Sequence, residues 1–345
     1  MKNIILILLI PLLKFSANAE NFVFTYEGQT LTYTVLSKEE KTVCTQGGYY
    51  SEDPEEEGMV SFNPGNNISG ELIIPATVRD ENNQTYTVTS IGNYSFMFND
   101  ITSVIIPESI NMIDDWAFWG CSKLKSVSIG ESVTKIGSHA FDGCSGLTSV
   151  FIPDSVTEIC DCAFYDCTNL TTVNIPERVT EINSCAFKNC VKLSAAPLHD
   201  YITAIHDYAF ADCSRLSSVS IPGGVTTIGE GAFLGCFRMT KVYYNTTNPV
   251  EGKKEIFLSV PSNTVLFVPE ETIEQCKVIS PWMHFNNIQA YEFPSDVKEI
   301  DTESGIIADE VYDIHGIKLE NNIDNLSTGI YIIRQGNSIT KIAVK

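Results

Sequence analysis

Three cysteines and two aspartates fall within the stretch Cys160-Asp161-Cys162-Ala163-Phe164-Tyr165-Asp166-Cys167. Thiolates and carboxylates at such spacing can ligate a soft divalent metal, and neighbouring thiols can pass between dithiol and disulfide. A structural zinc site needs four ligands that converge tetrahedrally. The imidazole in step with Cys162 and Cys185 is His139, and the three recur every 23 residues, which sets them in a straight column rather than around a point. No metal site is expected. The histidines His139, His199, His206, His284 and His315 are scattered, and no H-E-x-x-H, G-x-S-x-G or phosphate-loop motif occurs. The acidic run Glu52-Asp53-Pro54-Glu55-Glu56-Glu57 lacks the glycine and spaced ligands of a calcium loop and reads as solvated chain. The chain is therefore read as a non-enzyme with no cofactor.

What positions these residues is a repeat. Ala-Phe pairs at Ala117-Phe118, Ala140-Phe141, Ala163-Phe164, Ala186-Phe187, Ala209-Phe210 and Ala232-Phe233 are each separated by 23 residues. Three residues after each phenylalanine stands a cysteine: Cys121, Cys144, Cys167, Cys190, Cys213 and Cys236. An earlier copy carries Ser95-Phe96 and Asn99 one residue out of spacing, as suits an edge unit. One apolar column runs Val104, Val127, Val150, Val173, Ala196, Val219, Val242; another runs Ile106, Ile129, Ile152, Ile175, Leu198, Ile221. The V-x-I alternation predicts a very short strand with two inward side chains, and the proline that usually follows ends it by removing a backbone donor. A single unit cannot bury this many apolar side chains, so successive units must stack on one continuous core.

The consensus L-x-x-V-x-I-P-x-x-V-x-x-I-x-x-x-A-F-x-x-C resembles the treponemal-type leucine-rich repeat of the BspA-like bacterial surface proteins, from about Ile68 to Tyr243. The resemblance implies a leucine-rich repeat solenoid, with a parallel β ladder on the concave face and short irregular or helical turns on the convex face. It also implies adhesion to host matrix proteins or to other microbial cells. The chief departure is Ala195-Ala196-Pro197-Leu198, where a proline enters the strand and a weakened ladder is expected.

Residues 1–19 read as a signal peptide: Lys2 precedes the apolar run Ile4 to Leu13, and Ala17-Asn18-Ala19 supplies the small-x-small pattern for cleavage after Ala19. The apolar run is about half the length of a membrane span, and no transmembrane segment is expected in the mature chain, which is placed in the secreted fraction or on the outer cell surface. The formal net charge is −21. Such a surface repels nucleic acid and anionic membrane, which are held chiefly by Lys and Arg. The domain reading is an N-terminal β cap over 20–66, repeats over 67–243, a C-terminal cap of the solenoid over 244–293 and a small β segment over 294–345. Alternation about Gly316 and Gly329 makes this last segment resemble the sorting domain of type IX secretion cargo, which implies passage across an outer membrane.

The outward columns beside the predicted strands are rich in hydroxyls and poor in charge. The candidate binding residues are Lys125, Ser149, Phe151, Thr172, Asn174, Ser218, Lys241 and Tyr243. Many shallow hydrogen bonds with two aromatic anchors suit binding, and the family resemblance implies that the partner is a protein of host matrix or of a microbial surface. A glycan is the second reading, and a structural envelope spacer without a ligand the third. The six frame cysteines are expected as free, buried, weak S–H donors, because parallel Cβ vectors on stacked coils stay too far apart to bond. Cys162 and Cys185 are extra to the frame, and there a coil-to-coil disulfide and two free thiols both remain open.

Overall fold

The computed structural model describes residues 21–46, 49–52, 60–63, 66–292, 297–300, 310–313, 318–319, 329–335 and 338–344. The leader, most of the acidic run and Lys345 lie outside the described residues. The repeats wind as a parallel-strand β-solenoid of about nine turns.

The Val column forms the first ladder. Its strands include Asp100–Ile105, Ser126–Ser128, Ser149–Val150, Thr172–Val173, Ser218–Ile221, Lys241–Tyr244, Val265–Val268 and Asn287–Ala290. The register repeats the sequence period: Val104 faces Val127, Val150 faces Val173, and Val219 faces Val242. At the departure around Pro197 the ladder lapses, and Ala195 makes only an isolated bridge to Ser218. Pro197 has no N–H to give, so the strand cannot form there.

Opposite this ladder, where irregular turns are expected from the sequence, the structure has a second parallel ladder. Met112–Ile113, Lys135–Ile136 and Glu158–Ile159 stack on Thr85–Ile91, and Glu181–Ile182, Ala204–Ile205 and Thr227–Ile228 form a separate stack. Two-residue strands are too short to show a period of two, so nothing in the local pattern announces them.

The third side of each coil is a tight turn, also hydrogen-bonded coil to coil. The N–H groups of Phe118, Phe141, Phe164, Phe187 and Phe210 donate to the carbonyls of Ala140, Ala163, Ala186, Ala209 and Ala232 at 2.8–2.9 Å. To make these bonds the chain visits the left-handed region twice per coil. One such column carries Gly120, Gly143, Asp166, Asn189, Asp212 and Gly235, residue types that tolerate positive φ. The other carries Tyr94, Trp116, His139, Cys162, Cys185, Tyr208 and Gly231. Inside the turn the phenylalanines stack nearly parallel, with centroids 5.3 Å apart for Phe96–Phe118 and 5.5 Å for Phe164–Phe187, and Phe257 continues the column beyond Phe233. Each frame cysteine is free and buried, and its Sγ donates to the phenylalanine carbonyl one coil back, as from Cys144 to Phe118 at 3.2 Å and from Cys167 to Phe141 at 3.2 Å. Burial pushes these thiols up.

Both open ends are covered. Asn21–Tyr26, Gln29–Ser37 and Thr42–Thr45 form an antiparallel meander that joins the second ladder through parallel pairing of Thr42–Thr45 with Thr85–Ile91, burying Leu31, Tyr33 and Val43. At the other end Trp282 is fully buried, with its ring 4.4 Å from Tyr244 and its Nε1 donating to the Val250 carbonyl at 2.8 Å. Ile288, within the same cap, lies in a ladder strand facing Leu266. Separately, Val297–Ile300, Ser338–Val344, Gly329–Gln335, Glu310–Asp313 and Lys318–Leu319 form a five-stranded sheet in that order.

Phe164 stands in the middle of the stack with coils on both sides. Replacing it with alanine should cost about 3–5 kcal/mol, seen as a lower urea midpoint. Asp114, just after the strand Met112–Ile113, supplies a pH test. Burial pushes its carboxyl up to about 7, Asp115 adds to the shift and Lys135 opposes it. The folded pKa lies above the unfolded one, so this group's contribution is fully present below about pH 4 and lost as pH rises toward 7. Thermal midpoints measured across that window should fall for the parent chain relative to Asp114→Asn, which should show a flatter profile.

Candidate functional site

The outward face of the first ladder is the candidate site. Alternation in each strand sends Val150, Val173 and Val219 into the core and puts Ser149 and Thr172 outside. Lys125, Ser149, Phe151, Thr172 and Lys241 are exposed, while Ser218, Asn174 and Tyr243 are half-buried. Phe151 is 65% exposed. The structure does not bring the two predicted aromatic anchors together: Phe151 and Tyr243 sit four coils apart in one column, roughly 19 Å at the usual strand spacing.

Two predicted residues do work inside the fold. Asn174 is braced against the neighbouring coil: its Oδ1 accepts from the Ile152 N–H and its Nδ2 donates to the Ile152 carbonyl, both at 2.7 Å. It restores, from a side chain, the backbone pairing that the strand there lacks. Tyr243 stacks on Phe267, with centroids 4.8 Å apart, and meets Tyr291 edge-on at 5.1 Å.

Phe267 and Tyr291 complete a cluster that the sequence reading missed. Val265-Leu266-Phe267-Val268 has the same in-out order as Lys241-Val242-Tyr243-Tyr244, so continuing the outward column past the last repeat would have found Phe267. The register lays Ser220, Tyr243, Phe267 and Gln289 in one row and Ser218, Lys241, Val265 and Asn287 in the next. The result is an aromatic trio bordered by hydroxyls, two amides and one ammonium. These groups recognise; none is a nucleophile held by a base.

The remaining polar columns are more committed. Thr171 and Thr240 spend their hydroxyl protons on the carbonyls of Thr148 and Ser217 one coil back, as Thr157, Thr203 and Thr226 do beside the second ladder. Charges beside that ladder pair between coils, Lys135 with Glu158 at 3.0 Å and His206 with Glu181 at 2.8 Å. The hydrogen bond between them raises the pKa of Lys135 and lowers that of Glu158. His139 stacks under Trp116 at 3.7 Å and bonds Asp142 through Nδ1 at 2.7 Å. Among the described residues, no group of three or more His, Cys, Asp or Glu side chains converges as metal ligands.

Residues 89–214 and 136–260 match the family model described as the BspA type leucine rich repeat region, in six copies. The chain carries a BspA-type leucine-rich repeat solenoid. A leucine rich cell surface protein from Faecalibacterium prausnitzii is similar at 25% identity and a TM-score of 0.54, over 81% of this chain and 82% of that one. A T. pallidum leucine-rich repeat protein aligns at 26% identity and a TM-score of 0.46, over 56% and 87% of the two chains. One from Bacteroides ovatus aligns at 23% and 0.41, over 74% and 81%. No curated protein sequence matches significantly. Among the described residues, no helix is long and apolar enough to cross a membrane.

Asn174→Ala should leave the buried Ile152 N–H without a partner. The expected cost is about 1–3 kcal/mol, with faster hydrogen exchange at the Ile152 amide than at Val127.

Proposed function

We propose that this chain is a secreted or cell-surface binding protein that uses the outward face of its first ladder to hold a protein partner, in the manner of an adhesin toward host matrix or other microbial cells. One observation carries the reading: a weakly charged, hydroxyl-lined sheet ends on the cluster Tyr243, Phe267 and Tyr291. Clustered aromatics on a rigid sheet bind at low entropic cost and are the usual centres of interface energy. Lys125, Ser149, Phe151, Thr172, Ser218 and Lys241 extend the surface along the solenoid, and repeat arrays characteristically recognise partners over such lengths. The cell-surface description of the Faecalibacterium protein supports the same placement. In this reading the leader is cleaved after Ala19, and the segment 294–345 serves sorting to the surface; an intact Lys345 on surface-exposed protein would count against removal of that segment.

A glycan is the second reading. It is favoured by Gln289, whose amide stands in the row of Tyr243 and Phe267, and by Asn287 in the next row, which accepts from it, since amides beside aromatics suit sugar hydroxyls.

The mature protein should be probed against immobilised matrix proteins and glycans, beside Tyr243→Ala, Phe267→Ala and Phe151→Ala variants. Loss of a cluster ring should weaken protein binding by about 30-fold or more, the scale of an interface hot spot, and Phe151→Ala should weaken it less. Selective capture on glycans alone would transfer the assignment to the second reading. Absence of binding to both, by folded protein, would leave a structural spacer.

A further inference from the structure

The solenoid has one junction where the second ladder lapses. In the second ladder Glu158–Ile159 closes one sheet and Glu181–Ile182 opens another, with no backbone pairing between them among the described residues. Elsewhere in that ladder the residue after the strand donates its N–H one coil back, as Gly137 does to Ile113, Cys160 to Ile136 and His206 to Ile182. At the junction the Asn183 side chain substitutes, donating Nδ2 to the Ile159 carbonyl at 2.7 Å. Across the same two coils the first ladder keeps only the pairs Ser149–Thr172 and Val150–Val173, and it stops at the next coil, where Thr172–Val173 ends its sheet before Pro197. Backbone contact across the junction then rests on that short pairing and on the tight turn, where the Cys162 N–H donates to Ser184 and the Phe164 N–H to Ala186, each at 2.9 Å.

Cys162 and Cys185 stand one on each side of this junction. Both occupy the left-handed column of the turn, at φ 55° and 57°, and both are half-buried, whereas the six frame cysteines are fully buried. Their thiols are in hydrogen-bonding contact with each other. The frame thiols are occupied instead by phenylalanine carbonyls and lie in a straight interior column. Side chains of this column meet from coil to coil, as the stacked rings of Trp116 and His139 do, and at this junction the pair that meets is two thiols.

We infer that Cys162 and Cys185 form a disulfide that staples the two coils at the one place where the second ladder is interrupted. The oxidant is a small-molecule disulfide of the glutathione class. A thiolate at Cys185 attacks one sulfur of the oxidant, giving a mixed disulfide and releasing one reduced thiol. Cys162 then loses its proton, and its sulfur attacks the Cys185 sulfur, forming the Sγ–Sγ bond and releasing the second reduced thiol. The protein is oxidised by two electrons and the oxidant reduced by two.

The order of attack follows from the surroundings. When the pair loses one proton, the remaining thiol hydrogen-bonds to the thiolate, and the Lys188 ammonium favours that charge at Cys185, lowering it to about 7. Lys188 is held in place between two rings, 5.9 Å from the centre of Tyr165 and 5.1 Å from that of Tyr208. Asp142 and Asp161 press the other way on Cys162, which is raised chiefly by its bond to Cys185 and by burial.

The test uses the folded, fully reduced chain, equilibrated with oxidised glutathione, then alkylated in denaturant and mapped without reduction. The expected product has a mass lower by about 2 Da before alkylation, a cross-linked peptide pair containing Cys162 and Cys185, and alkylation of the frame cysteines. Cys162→Ser should stop at a glutathione adduct on Cys185. The stapled form should melt several degrees above the reduced form, and Cys185→Ser should show no such response to oxidant. Recovery of both thiols alkylated, a persistent glutathione adduct on the parent chain, or pairing of either cysteine elsewhere would overturn the inference. An unchanged melting temperature in a cross-linked product would overturn the stapling role.

Discussion

Everything in this structure depends on each coil returning the chain to the same place one strand spacing further along. The phenylalanine stack shows how strictly the rule is kept: Phe118 through Phe257 superpose face to face with centroids 5.3–5.7 Å apart. A ring in this column has ring neighbours above and below it, so its two faces are covered by other coils. The backbone obeys the same rule on three sides, with two ladders and a hydrogen-bonded turn. Two left-handed residues per coil are the conformational cost of the turn. One of the two columns meets it with Gly, Asp and Asn. The other tolerates Trp, His, Tyr and Cys, because the bonds to the next coil fix the backbone there regardless of residue type.

Exact return also explains the cysteines. Each phenylalanine carbonyl accepts the backbone N–H of the residue three positions on, at 3.1–3.4 Å, and the Sγ of the following coil donates to its second lone pair at 3.0–3.4 Å. A weak donor of small volume suffices, and serine would bring a stronger hydrogen-bonding group into an apolar column. The frequency of cysteine in this chain is thus largely a packing consequence, since six of the eleven belong to the frame.

The repeat, the inward columns and the disturbance at Pro197 were legible in the sequence because each is periodic or breaks a period. The second ladder was not, since Ile113, Ile136 and Ile159 each belong to strands of two residues with no alternation to display. The face was legible as a set of columns but not as a site. Asn174 reads as an outward polar residue and proves to be a brace, and Tyr243 gains its significance from Phe267 and Tyr291, which lie beyond the last Ala-Phe pair. Column membership follows from spacing, whereas contact between columns depends on side-chain direction, which spacing does not encode.

A structure built this way separates stability from recognition. Inward columns are constrained by their neighbours on adjacent coils, so a change there is felt along the stack. Outward columns are constrained only by the pitch, and the three outer columns of the first ladder hold residues as different as Phe151, Asn174 and Lys241 without altering the coil path. Where an inward requirement fails, repair comes from the nearest side chain: Asn183 and Asn174 each replace backbone bonds across adjacent coils. Both repairs cluster in the coils that also hold Cys162 and Cys185. The irregular sequence Ala195-Ala196-Pro197 ends the first ladder one coil beyond these repairs, so side-chain bonds do most where the backbone pairing on either side is short.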